Sequence, residues 1–134
     1  MHSLQLEAYK KTQMQTLSGR EIEAAVLTKA ALALKECQDT WDAGGQNGKL
    51  DEALRYNQLI WSVFQGELIK EDNPLPKKLR EDILSLSGFI DRRIFEIMAY
   101  PSPEKLNAII NINLNLAAGL RGSTQAPTLE VAEA

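Results

Sequence analysis

The side chains able to ligate, attack or transfer protons are few. The one histidine, His2, stands at the second position, and the one cysteine, Cys37, falls in an apolar stripe. Cys/His spacing of the kind that holds zinc is absent. Carboxylates pair at Glu21 and Glu23, at Asp51 and Glu52, and at Glu81 and Asp82. Each pair falls on a helix surface, where charges are solvated, and none has a nucleophile beside it. No Gly-rich phosphate loop follows a strand. No residue is therefore a candidate for catalysis, cofactor binding or metal ligation, and the expectation is a non-enzymatic protein.

Asparagines carry more information. Asn57 interrupts a stripe formed by Leu50, Leu54, Trp61, Phe64 and Leu68, all at three- and four-residue steps. Asn113 does the same among Leu106, Ile110, Ala117 and Leu120. A buried amide without partners costs about 1–3 kcal/mol, so each needs a neighbour that bonds it. The expectation is a core polar pair, Asn57 with Asn113, fixing the register of two helices. The alternative is a rotated stripe that leaves an amide at the solvent boundary.

These residues need helices to position them. A short N-terminal helix is expected over residues 3–13, with Leu4, Ala8 and Tyr9 on one face. Leu17-Ser-Gly-Arg-Glu-Ile22 reads as a helix start. Ser18 and Glu21 fit a capping box, and Leu17 and Ile22 fit a hydrophobic staple. That helix is expected to reach about residue 42, with Leu27, Ala30, Ala31, Leu34, Cys37 and Trp41 as its stripe. Residues 44–48 form a Gly-rich connection. The next helix covers about 51–70, and Asp72-Asn-Pro-Leu-Pro76 ends it. A fourth runs over about 77–99, with Leu79, Ile83, Leu86, Ile90, Ile94 and Ile97 inward. Gly88 in its middle implies that a neighbour packs closely there. Ser102 and Pro103 open the last helix, over about 103–120.

No stretch alternates with a period of two. The fold expected is all-α: a small single-domain antiparallel bundle of four longer helices plus the short N-terminal one, over residues 1–122. The tail, 123–134, is small, polar and acidic, and is expected to be disordered. Net charge is −3, which offers no basic field for nucleic acid. A lone cysteine, the lack of a signal peptide's apolar core and the lack of a membrane-spanning run give the expectation of a cytoplasmic protein.

Apolar residues also stand off the main stripes at Ile60, Val63, Ile69, Ile109, Ile112 and Leu114. Helices apolar on more than one side are either central or bind something.

Several phrases resemble the FlaF family of flagellar biosynthesis regulators. They are ALRYNQLIW (53–61), NPLPKKLR (73–80) and IININLNLAAGLRG (109–122), with LSGREIEAAVLTKAA (17–31) and AYPSPEKLNAIININ (99–113) in the same order. The resemblance covers about residues 8–122. It implies a flagellin-binding secretion chaperone that covers an amphipathic terminal segment of flagellin before export. The alternative it implies is a post-transcriptional regulator of flagellin synthesis acting through a protein or RNA partner. On the chaperone reading, Trp61, Ile109, Ile112 and Leu116 are the partner-binding candidates.

Overall fold

Four α-helices carry the chain: α1 (His2–Asp39), α2 (Lys49–Leu68), α3 (Lys77–Ala99) and α4 (Asn107–Gly122). A 3-10 turn, Pro103–Leu106, leads into α4. The computed structural model describes residues 2–42 and 48–122, with side chains described from residue 19 onward. No strand occurs among the described residues. The tail 123–134 and most of the Gly-rich connection lie outside them, as do the side chains of the expected first helix.

One boundary differs from expectation. The chain does not break at Ser18, and no separate N-terminal helix exists: α1 runs 38 residues without interruption. The capping box is a local signal, and it acts only if the residues before it are not already helical. Residues 3–16, SLQLEAYKKTQMQT, hold no Gly or Pro and many good helix formers. The helix therefore continues through Ser18 and Gly19.

The remaining boundaries follow local chemistry. Gly48 caps α2 at φ 81°, a left-handed conformation that glycine adopts without a Cβ penalty. Asp51 and Glu52 lie in the first turn, where acids complement the helix dipole. Asn73 closes the turn after α2: its Oδ1 accepts from the Leu75 amide at 3.0 Å and its Nδ2 donates to the Glu67 carbonyl at 3.1 Å. Pro76 then precedes α3, and Pro103 occupies the first turn before α4.

Cross-helix partners fix the directions. Glu23 feels the charge of Glu67 at one end of the α1–α2 pair, and Cys37 that of Lys49 at the other. Gln38 bonds Asn107, while Arg121 lies beside Ala25 and Thr28. Gln65 bonds Ser87, while Leu50 lies beside Met98. Thus α1–α2, α1–α4 and α2–α3 are all antiparallel pairs.

The most extensive backbone packing is between α1 and α4. Buried alanines explain it: Ala24, Ala30 and Ala31 on α1, and Ala108 and Ala117 on α4. With no side chain beyond Cβ, two axes can come near. Helix α3 packs its backbone closely against that of α2 and of the 3-10 turn alone. One core joins all four helices, with Leu27, Leu34, Leu54, Trp61, Ile90, Ile94, Ile97 and Ile109 fully buried.

Candidate functional site

The two asparagines meet. Asn113 Nδ2 donates to Asn57 Oδ1 at 2.6 Å, and both residues are fully buried. Asn57 Nδ2 in turn donates to the Ala53 carbonyl at 2.9 Å and to the Ala30 carbonyl at 3.2 Å. Trp61 Nε1 donates to Asn113 Oδ1 at 2.9 Å. One chain of hydrogen bonds thus ties α1, α2 and α4 together in the dry interior. Slipping any of the three helices by one turn would leave several of these groups unpaired, at about 1–3 kcal/mol each. The network specifies register.

The four residues expected to meet a partner do not reach the surface. Trp61 and Ile109 have no exposed area, and Ile112 and Leu116 are buried as well. The reason is position: neighbours wrap far enough around α2 and α4 to bury these four side chains. Trp61 also spends its only polar atom on Asn113 and stacks edge-on against Phe64, with ring centres 6.0 Å apart. Ile60 is buried too, whereas Val63, Ile69 and Leu114 are exposed.

The exposed apolar surface lies elsewhere, and its clearest grouping is along the outer seam between α2 and α3. Leu59 (61% exposed) lines a groove with Arg55, Gln58, Ser62 and Asp91. Phe95 (75% exposed) follows Asp91 by one turn, and Met98 (40% exposed) follows Phe95 by three residues, so all three share one edge of α3. Met98 then lines a second groove with Leu50, Ile97 and Pro101. The seam is apolar at its Met98–Pro101 end and polar where Leu59 stands among Arg55, Gln58, Ser62 and Asp91. Periodicity did not reveal it, because Leu59, Phe95 and Met98 stand outside the core stripes. The signal available was that outlying position of large apolar side chains.

A second unexpected feature lies in the same interface. Ser87 on α3 is fully buried and accepts a hydrogen bond from Gln65 Nε2. The same amide nitrogen reaches Asp91 Oδ2 at 3.2 Å. The steps Ile83, Ser87, Ile90, Ile94 place Ser87 in the inward stripe, so the spacing already contained it.

Charged groups are committed locally. Asp51 pairs with Arg55 at 2.8 Å, Lys78 with Asp82 at 3.0 Å and Lys35 with Asp39 at 3.1 Å, all one helical turn apart and solvent-facing. Arg93 is only partly exposed and packs back on the protein. Its guanidinium lies 5.2 Å from the centre of the Phe89 ring, and its Nη1 donates to the Lys105 carbonyl at 3.4 Å. Burial, with Glu36 adding repulsion, pushes the Cys37 thiol above its ordinary pKa, which makes it a poor nucleophile. No group of three or more potential metal ligands comes together among the described residues. None of their helices is long and apolar enough to cross a membrane.

No match was found among curated proteins or among solved structures. A family model described as flagellar protein FlaF matches residues 5–120. That span takes in all of α2, α3 and the 3-10 turn, nearly all of α4 and most of α1. The chain belongs to the FlaF family.

Proposed function

We propose that this protein is a non-enzymatic flagellin chaperone, acting in the cytoplasm, that holds an amphipathic terminal helix of flagellin before export. The observation that carries the reading is the family match to a flagellar protein, taken with the exposed apolar side chains Leu59, Phe95 and Met98 beside the α2–α3 interface. Unassembled flagellin ends expose apolar helical faces that polymerise or aggregate unless shielded. A groove between two helices is a usual receptor for such a helix.

The seam also moves the expected contacts from the buried Trp61, Ile109, Ile112 and Leu116 to Leu59, Phe95 and Met98. The physical action is mass action: a bound monomer is withdrawn from polymerisation. An effect on flagellin synthesis would follow from the same sequestration, through a translation regulator that responds to free flagellin.

Isothermal titration with peptides from both flagellin termini tests this. The unmodified protein binds one of them. Leu59→Asp and Phe95→Asp each weaken binding by about tenfold or more, or roughly 1.4 kcal/mol and upward. Both positions are exposed, so folding survives as the control. Binding of neither peptide, with retention of a flagellin leader RNA in a gel shift, overturns the reading in favour of direct RNA regulation.

A further inference from the structure

The α2–α3 seam differs from the other interhelical contacts in how it is fastened, and we propose that α3 opens as a separate unit while α1, α2 and α4 stay docked. Four observations converge on this helix. Its ends are joints that interrupt helical continuity, with Pro74 and Pro76 before it and Pro101 and Pro103 after it. Its backbone approaches only α2 and the 3-10 turn closely, whereas α1 and α4 pack along their length. Its seat carries a buried hydroxyl, Ser87, that bonds one side chain, Gln65, with exposed Asp91 beside it, whereas the buried amides of the other three helices form a relay that joins all three. Arg80 Nε, near its start, is buried without a hydrogen-bond partner, and Arg93 Nε, near its end, has only an ion-pair approach to Glu96 at 3.5 Å.

Gly88 adds a weak point. A Cβ built there meets only Arg92 Nη1, at 3.6 Å, so no neighbouring helix requires the glycine. The helix carries the conformational freedom of a mid-helix glycine with no packing return. Opening uncovers an apolar face made of Ile83, Leu86, Ile90, Ile94 and Ile97, and the surface of α2 that received it. Helix α3 is then the cis occupant of a groove whose shape fits an amphipathic helix from outside. This last step rests on the flagellin reading: Leu59, exposed on α2 and therefore part of what remains when α3 leaves, marks the edge at which such a helix would enter and displace α3.

Native-state hydrogen exchange on the full chain decides it, because a separately opening unit exchanges at its own rate. Amides of α3 between residues 83 and 97 are expected to exchange together, roughly tenfold or more faster than the buried amides of α1 and α4. Ile110→Val removes one methylene from α4 on the side of Asn107, which bonds α1. It should speed exchange in α1 and α4 by about two- to tenfold while leaving the α3 rate unchanged. One common rate for all three helices, accelerated equally by Ile110→Val, overturns the proposal.

A flagellin terminal peptide then tests the displacement. Bound peptide should speed exchange in α3 and slow it in α2. Slowing of α3 along with the rest overturns displacement while leaving the chaperone reading intact. Absence of any peptide binding removes the chaperone reading, and the rates of the free protein still decide whether α3 opens alone.

Discussion

Helices α3 and α4 are alike as sequences and unlike as structures. Both follow a proline, both carry an isoleucine-rich stripe and both hold a polar residue within it. Yet α4 buries Ala108, Ile109, Ile110, Ile112, Asn113, Leu116, Ala117 and Leu120, which wrap around much of its circumference. Helix α3 buries a single stripe and leaves Phe95, Met98 and an acidic–basic face in solvent. The polar insertions differ in the same way. Asn113 sits in a closed relay that reaches three helices, and Ser87 has one glutamine from one helix. The relay of Asn57, Asn113 and Trp61 locks α1, α2 and α4 to one another, and no member of it reaches α3, which makes α3 the most separable part of the bundle.

The comparison breaks most severely at Trp61. Truncation to alanine removes the largest fully buried side chain and leaves Asn113 Oδ1 without its donor. A loss of about 3–5 kcal/mol is expected, read as a fall in the denaturant midpoint. Retention of most of the stability would mean that α2 and α4 are held by something other than this contact.

The asparagine pair gives the next effect. Asn57→Ala and Asn113→Ala should each cost about 1–3 kcal/mol, because each leaves a buried amide or carbonyl unpaired. Combined, they should cost less than the sum, with a coupling of at least about 0.5 kcal/mol in a double-mutant cycle. Strict additivity would mean that the 2.6 Å hydrogen bond contributes nothing beyond its separate ends.

How much of this was legible in the sequence divides along the same line. Asn57 and Asn113 could be matched because both interrupt otherwise unbroken stripes, and a buried amide demands a partner. The four-helix order was legible from Pro and Gly punctuation. Two kinds of information were not. The continuity of α1 through Ser18 depends on what precedes the capping box, and a local motif cannot report that. The burial of Ile109, Ile112 and Leu116 depends on how many neighbours α4 has, which is a property of the assembled bundle. Periodicity marks one face of a helix and is silent on how far around the circumference the neighbours extend.

Gly88 sharpens the contrast from the other direction. Its position in mid-helix suggested a close neighbour, but only the Arg92 side chain comes near a Cβ placed there. Gly88→Ala should therefore stabilise the protein by about 0.5–1 kcal/mol, seen as a rise in the denaturant midpoint with an unchanged m-value. The same substitution at a tightly packed glycine would do the opposite. A loss of stability would place another helix against this face of α3 and remove part of the argument for its separability.

The smallest effect belongs to the other interface of α2, where it meets α1. Glu23 is half-buried there, and desolvation pushes its carboxyl pKa up, partly offset by Arg20 and reinforced by the nearby charge of Glu67. A carboxyl whose pKa is higher when folded than when unfolded holds its proton more firmly in the native state. Folding is then unpenalised below the ordinary carboxylate range and loses stability as pH rises through and past it. Glu23→Gln removes that loss. The variant should exceed the unmodified protein in stability at pH 7, and the two should converge as pH falls below the carboxylate range. Denaturant titrations at a series of pH values read this directly. Because Glu23 lies on α1 and faces α2, the substitution should leave the hydrogen-exchange rates of α3 unchanged. A matching change in α3 would mean that the two seams of α2 respond as one, and the division between a locked side and a detachable side would fail.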